Sequence, residues 1–260
     1  MKKSSGKRCN CRMVFYELRN INGNLMPHFF GIIFPNIMCF LLSQTVISQV
    51  PEAARETANT SLMLSLSLVI PMSIMFLGYG ALYAQEVERE IPLRMRLFGY
   101  GVGAEVLAKV IAHLIFMTFA LTVYGLFQGL VMDMKRPTVQ AFLGWILSLY
   151  LIGGVCLVLA HGIAGICRKF SLTFGIDMIL YFMIMILTGM MGIKTDQLPK
   201  GLQKCAALLP MTHISNDYVD FWLGGSYRFM PLLQSFLFLG AAAGIVLLIS
   251  NHTSRRQNRV

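Results

Sequence analysis

Apolar residues run along this chain in six long stretches that are separated by shorter polar segments. A helix needs about 20 mostly apolar residues to cross the roughly 30 Å of hydrocarbon in a bilayer, and each stretch reaches about that length. The pattern therefore predicts an all-α membrane protein with six transmembrane helices and no sizeable water-soluble domain. The predicted spans are Phe29–Val50, Ser61–Ala84, Glu105–Met132, Ala141–Cys167, Leu172–Gly192 and Leu232–Ser250.

The N-terminal tail, residues 1–26, predicts a helix that lies on the membrane surface. Apolar side chains recur every three or four positions between Met13 and Ile21, with arginines among them. Such an amphipathic helix lies in the interface, where its basic residues meet the lipid headgroups. A simple continuation of the first span is the alternative, but the turn at residues 22–24 and Pro27 predict a break.

The connection between the second and third spans, residues 85–104, is the most highly charged one. Its acidic residues come first and its basic residues later, an order that complements a helix dipole. We predict a short helix here, across the cytoplasmic mouth of the bundle, and interpret it as a docking surface for a soluble partner. A solvated loop that orients the bundle is the alternative. The charged residues of this surface are Glu86, Glu88, Arg89, Glu90, Arg94 and Arg96.

The connection before the last span, residues 193–231, is the longest outer segment. Apolar residues recur at helical spacing between Leu198 and Leu209, and again between Ile214 and Trp222. We predict two short amphipathic helices, separated at Pro210, that form a lid or gate on the outer side. An ordinary cap on the membrane surface explains the periodicity equally well. The other predicted outer connections, residues 51–60 and 133–140, are short turns.

Composition and charge support the membrane assignment and indicate its orientation. Only 13% of the 260 residues are charged, whereas 56% are apolar. The net charge is +10, and fifteen of the 22 Lys and Arg residues fall on the tail, the charged connection and the other segments on the same side. Cytoplasmic segments collect Lys and Arg, so the excess predicts cytoplasmic termini and attraction to anionic lipid rather than nucleic-acid binding.

The sequence offers little chemistry of its own. It contains no Gly-x-x-x-x-Gly-Lys-Ser/Thr motif that would cradle nucleotide phosphates, and no catalytic, cofactor-binding or metal-ligating pattern. The ionisable groups predicted inside the spans are His113, His161 and Asp177. Each of them either makes a hydrogen bond between helices or lines a transport pathway.

Small residues and cysteines complete the sequence-based picture. Gly125 and Gly129, like Gly240 and Gly244, permit close helix approach, and we favour packing inside the bundle over dimerisation. The six cysteines predict no disulfide framework, since only Cys205 falls on an outer segment.

The order of these features resembles the membrane subunit of type-2 ABC exporters, the ABC-2 permease family. Two stretches carry the resemblance. Residues 86–99 look like the Glu-rich, Arg-containing segment that enters the family's coupling helix. The second stretch runs from Leu198-Pro199 through Leu209-Pro210-Met211-Thr212 to Gly224-Gly225, and is similar to the family's pattern before the last span.

The resemblance implies a half-transporter that is not itself an enzyme. Two copies, or this chain and a paralogue, would form the pathway in a bacterial plasma membrane. A separate ATPase subunit, which binds ATP and Mg, would dock on the charged inner helix and on the N-terminal helix. The outer gate would be built by residues that include Leu198, Pro199, Leu209, Pro210, Thr212, Tyr218 and Trp222.

The expected function is export of a hydrophobic or amphipathic compound, either a drug-like molecule or an antimicrobial peptide. Export of lipid-linked polysaccharide by the same architecture is the first alternative. A secondary transporter or channel that does not use ATP is the second, and a purely structural scaffold is the third.

Overall fold

The computed structural model describes residues 8–190 and 195–257, and this part of the chain is helical without a strand. The predicted tail residues 1–7, the end of the predicted fifth span and residues 193–194 of the outer segment lie outside the described residues. The helices are α1 (Cys11–Asn22), α2 (Leu25–His28, a π-helical turn Phe29–Ile33, and Phe34–Gln49), α3 (Glu52–Ser67, Val69–Pro71, a π-helical segment Met72–Gly78, and Tyr79–Glu88), α4 (Ile91–Leu97), α5 (Val102–Val131), α6 (Val139–Cys167), α7 (Phe170–Leu187), α8 (Lys200–Ala207), α9 (Pro210–Trp222) and α10 (Phe229–Gln257).

Six of these helices, α2, α3, α5, α6, α7 and α10, are long and apolar enough to cross a membrane, as the sequence predicted. The break before the first span is also confirmed, because Gly23 and Asn24 separate α1 from α2 and the Asn24 side chain caps α2. Pro27 does not interrupt α2. It lies in the first turn, where a missing backbone N–H leaves no helical hydrogen bond unmade.

The second span is longer than predicted, since α3 begins at Glu52 and ends at Glu88. The prediction of a short turn over residues 51–60 is therefore wrong. The first turns of α3 contain the helix-forming residues Ala53 and Ala54 and carry Glu52 at the N-terminal end, where a negative charge is favourable. This extension packs against α9.

Helix α3 is the centre of the bundle, and it contacts α2, α6, α7 and α9. It meets α2 where both helices widen into π-helical segments. A Cβ atom added at Gly31 would lie 2.6 Å from Cγ1 of Ile74, so only glycine permits this approach. The core of the molecule therefore surrounds α3, whose apolar segment is mostly buried.

The predicted glycine packing is wrong at all four positions. A Cβ added at Gly125, Gly129, Gly240 or Gly244 would meet no atom within 4 Å, because these faces of α5 and α10 point away from the bundle. The close approach occurs between α6 and α10 instead. There, a Cβ at Gly162 would lie 2.8 Å from Val246.

Candidate functional site

The charged connection forms a short exposed helix at one end of the bundle. Glu90 adopts a left-handed conformation with φ of 56° and turns the chain out of α3, and Pro92 occupies the first turn of α4, where proline is tolerated. Gly99, with φ of 86°, lies just past the end of α4. The predicted short helix is thus present, and we call this end of the bundle the α4 end.

The surface of α4 combines charge with exposed apolar groups. Its exposed charged side chains are Glu88, Arg89, Glu90, Arg94 and Arg96. Leu97 and Phe98 are 82% and 70% exposed, and Leu93 is half exposed. An exposed apolar group that is rimmed by charges is typical of a surface that contacts another protein or a membrane. We call these eight residues the α4 surface.

Glu86 does not belong to this surface, contrary to the sequence-based expectation. Its side chain is 5% exposed and points into the bundle, where Oε2 lies 2.6 Å from Nζ of Lys109. Its Oε1 accepts a hydrogen bond from Nδ2 of Asn20 on α1 at 3.1 Å. Glu86 lies on the buried face of α3, two residues before the helix ends at Glu88.

Lys109 on α5 is the centre of a buried charge cluster. Besides Glu86, its Nζ contacts Oε1 of Glu17 on α1 at 2.7 Å and Oε1 of Glu105 at 3.9 Å. We call Glu17, Glu86, Glu105 and Lys109 the charge cluster. It ties α1, α3 and α5 together directly behind the α4 surface.

Sequence reasoning missed this cluster. The pattern places Lys109 among the basic residues of an inner segment and Glu17 on a surface helix, whereas their side chains are 4% and 6% exposed. The available signal was the i, i+4 pair Glu105–Lys109 at the start of a span, since charges inside a membrane helix need partners. Tyr16 lies beside the cluster. Its partial burial raises the pKa of its hydroxyl, and the negative charge of Glu86 raises that pKa further.

Glu88 has a structural task that the sequence did not reveal. Its Oε2 accepts the backbone N–H of Phe170 at 2.9 Å, at the first residue of α7. The carboxylate therefore satisfies one of the free N–H groups at this helix start and complements its dipole. Through this contact the α4 end of α3 is joined to α7.

The predicted polar residues inside the spans gather around one turn of α3. Tyr79 donates or accepts a hydrogen bond with Nδ1 of His161 at 2.7 Å, and its ring meets that of His113 edge to face. His161 also stacks on Tyr83 with ring centroids 4.3 Å apart. His113 bonds through Nδ1 to the carbonyl of Lys109, at 2.8 Å, which links it to the charge cluster.

Asp177 on α7 approaches the next residue of this turn, Gly80. Its Oδ2 occupies the place where a Cβ at Gly80 would stand, and the whole side chain is buried. The structure therefore brings His113, His161 and Asp177 to neighbouring positions around α3, but it shows no hydrogen bond among the three.

At the opposite end of the bundle, the predicted pair of short helices is present as α8 and α9. Pro210 is the first residue of α9, so the predicted separation is confirmed. Thr212 donates a hydrogen bond to the carbonyl of Ala206 at 2.6 Å, which fixes the angle between the two helices. Leu198 accepts a side-chain bond from Gln203, and Pro199 precedes α8 as its cap residue. Leu209 is the half-buried cap residue of α9.

Helix α9 is anchored in the bundle by aromatic residues. Tyr218 donates to the carbonyl of Ala141 at 2.9 Å, and Nε1 of Trp222 donates to the carbonyl of Lys135 at 3.0 Å. The Trp222 ring meets that of Trp145 edge to face, with centroids 5.6 Å apart. Burial raises the pKa of the Tyr218 hydroxyl to about 12, so it stays a donor at any physiological pH.

A cavity of about 820 Å³ lies between α2, α3, the end of α7 and α9. Its lining mixes hydroxyl and amide groups with apolar side chains, among them Ser61, Leu62, Ser65, Met190, Ser215 and Asn216. On one wall, Oγ of Ser65 donates to the carbonyl of Ser215 at 3.1 Å, and Oγ of Ser215 donates to the carbonyl of Thr188 at 2.8 Å. We call this space the α9-end cavity.

Comparison with known proteins gives one match. A family model described as ABC-2 type transporter matches residues 13–219, from α1 to the last turn of α9. No curated protein and no solved structure matches the chain. The matched region contains the charge cluster, the α4 surface and the α9-end cavity.

Proposed function

Because the chain belongs to the ABC-2 type transporter family, we propose that it exports a hydrophobic or amphipathic compound, driven by ATP that a separate subunit hydrolyses. The chain is a multi-pass membrane protein and the permease subunit of an ABC transporter. The direction of transport, the substrate class and the partners described below are our proposal.

The observation that carries the proposal is the course of α3. This helix runs from Glu52, beside α9, to Glu88, where the chain enters α4. A force applied on α4 therefore crosses only the short turn at Glu90 before it reaches α3, which extends to the α9-end cavity. Ser65 of α3 lines that cavity and bonds to Ser215 of α9, which couples the helix to the outer segment.

The ATPase subunit binds the α4 surface in this proposal. The charge cluster lies behind that surface and joins α1 and α5 to α3, so that the three helices move as one body when the partner pushes on α4. A buried ion pair resists separation because removal of one partner leaves a charge without compensation. The partner supplies the nucleotide chemistry, with ATP and Mg bound in its own site.

The volume and lining of the α9-end cavity are consistent with an amphipathic substrate. Pockets for drug-sized molecules have volumes of about 300–1,000 Å³ and combine apolar walls with a few polar groups. The cavity of about 820 Å³ falls in this range and presents serine hydroxyls beside Leu62 and Met190. A second copy of the chain, or a paralogue, completes the pathway.

Charge reversal on α4 tests the docking proposal. Arg94→Glu combined with Arg96→Glu is expected to weaken co-purification of the ATPase subunit at least about tenfold, because like charges at an interface cost several kcal/mol. Arg136→Glu is the matched control, since this exposed arginine lies at the opposite end of the bundle. Equal co-purification of the double variant and the control would contradict the proposed surface. Glu88 is unsuitable for this test, because its replacement also removes the cap of α7.

Reconstitution tests the transport function. Proteoliposomes that contain both subunits are expected to accumulate an amphipathic fluorescent dye only when ATP is present on the α4 side. Vesicles that contain the permease alone are expected to move nothing against a gradient. Concentrative transport without the ATPase subunit would identify a secondary transporter, and ATP-dependent movement of lipid-linked polysaccharide but not of dyes would identify the other substrate class.

A further inference from the structure

The carboxylate of Asp177 occupies an enclosed place between three helices. Asp177 is completely buried, with 0% of its surface exposed. On one side, Oδ2 lies against the backbone of Gly80 on α3, where any side chain would collide with it. Ala160 on α6 borders the same place, so Asp177 marks the junction of α3, α6 and α7.

Neither oxygen of Asp177 has a hydrogen-bond partner in the protein. None of the four ion pairs among the described residues includes it. Thr173 lies one turn earlier on α7, and four residues along a helix place two side chains on the same face. Its Oγ1 is also buried without a hydrogen bond, and the thiol of Cys167 lies beside it. The two unpartnered carboxylate oxygens of Asp177 and the Thr173 hydroxyl, which has only the Cys167 thiol beside it, thus share one buried face of α7.

Asp177 differs from the other buried carboxylates described above, because they lie close to a lysine. Lys109 pairs with the carboxylates of Glu17 and Glu86, whereas no cationic side chain in the described part of the chain pairs with Asp177. A buried carboxylate without a partner costs several kcal/mol, because its charge has lost the solvation of water. Oxygen ligands are what hard cations bind, and a cation would remove this cost.

The charge and the ligands available indicate which cation fits. A single carboxylate is neutralised by one positive charge, whereas calcium takes six to eight oxygen ligands and sites for it hold several carboxylates. Groups of three His, Cys, Asp or Glu side chains, which transition metals would need, do not occur among the described residues. We propose that Asp177 and Thr173 form a binding site for a small monovalent metal cation, Na⁺ or K⁺, that holds α7 against α3 and α6.

Thermal unfolding of the purified protein in lipid nanodiscs tests the site. NaCl, KCl and N-methyl-D-glucamine chloride are compared at equal ionic strength. The Tm is expected to rise and saturate with Na⁺ or K⁺ but not with the organic cation, which is too large to enter. Asp177→Asn is expected to abolish this dependence, whereas Asp220→Asn, which changes an exposed carboxylate on α9, is expected to retain it.

Thr173→Val provides a second variant that keeps the carboxylate, in case Asp177→Asn does not fold. It is expected to raise the half-saturating cation concentration several-fold, because one oxygen ligand is lost. An equal Tm of the wild type in all three salts would overturn the proposal. So would an unchanged cation dependence in either variant. The site is independent of the proposed export function, so each can fail without the other.

Discussion

Lys109 concentrates more interactions than any other charged residue that the structure describes. Carboxylates from three helices meet at this single ammonium group, two of them within 2.7 Å. Removal of the Lys109 ammonium group would leave these carboxylates facing one another in a buried place. The stability of the α4 end of the bundle therefore depends on one side chain.

Lys109→Met is predicted to destabilise the protein by about 3–5 kcal/mol, the cost of breaking a buried pair by removing one partner. The Tm in detergent and the yield of folded protein measure this effect. Lys135→Met is the control, since Lys135 is exposed in the connection between α5 and α6. If Lys109→Met and Lys135→Met had equal Tm values, the cluster would contribute nothing to stability. Adding Glu86→Gln to Lys109→Met is expected to restore part of the loss.

His213 is expected to make the stability of α9 depend on pH. The Asp217 carboxylate, whose Oδ2 lies 3.8 Å from Nδ1 of His213, raises the pKa of the imidazole. A raised pKa means that the charged form stabilises the fold. This contribution is complete below the ordinary histidine pKa and is lost as the pH rises through the raised one.

Asp217→Asn is therefore predicted to lower the Tm at pH 5.5 more than at pH 8.5. The difference is small, about 1 kcal/mol or less, because Asp217 is largely exposed and solvent screens the pair. Asp220→Asn on the same helix is the control. A decrease for Asp217→Asn that is the same at both pH values would show that the pair does not act through His213.

Single residues were also where the sequence was least informative. Glu17, Glu86 and Lys109 lie outside or at the margin of the apolar stretches, where charged residues usually belong to solvent-exposed connections. Their meeting depends on contacts between residues up to 92 positions apart, which no local pattern encodes. In contrast, His113, His161 and Asp177 stood out as ionisable residues within apolar runs, and all three lie inside the bundle.

Among the elements, the closest packing joins α6 to α10. Gly162 lies where a Cβ would approach Val246 at 2.8 Å and the backbone nitrogen of Leu247 at 3.0 Å. At Gly162, α6 thus lies close both to the Val246 side chain and to the backbone of α10. Helix backbone cannot move aside as a flexible side chain can.

Gly162→Ala is accordingly predicted to destabilise the protein by about 1–3 kcal/mol, the usual cost of overpacking. Gly154→Ala, in the same helix, is the matched control because no atom lies within 4 Å of its position. That substitution is expected to leave the Tm unchanged or to raise it, since alanine favours helix over glycine. Equal effects of the two substitutions would mean that α6 and α10 can separate at no cost.

The elements themselves were largely predictable, because uninterrupted apolar runs of about 20 residues are typical of membrane-spanning helices. All six spans, the break at Gly23 and the separation at Pro210 followed from the sequence. The contacts of the helices did not. Glycines in α5 and α10 that suggested packing face outward, whereas Gly80 and Gly162, which enable close contacts, have no distinctive sequence spacing.

At the scale of the whole molecule, both ends of the described chain lie at the α4 end. Helix α1 bonds to Glu86 there, and Ser250 of α10 packs against Gly165 near the end of α6. The distribution of Lys and Arg predicts that this end lies in the cytoplasm. The same prediction puts α8 and α9 on the outer surface.

Cysteine labelling is predicted to confirm this orientation. Cys205 is exposed on α8 and Cys11 is exposed at the start of α1. A membrane-impermeant maleimide is expected to label intact cells through Cys205, and Cys205→Ser is expected to abolish that signal. Cys11 is expected to react only after permeabilisation. Labelling of intact Cys205→Ser cells would place the N-terminal helix outside.

The contact between Trp145 and Trp222 has a practical consequence. The chain contains only these two tryptophans, and they meet where α9 is anchored to α6. All of its tryptophan fluorescence therefore originates from this contact, so the emission reports a displacement of α9 from α6. Fluorescence recorded during turnover can follow that displacement without an attached dye, and a spectrum that never changes would mean that α9 stays seated while substrate passes.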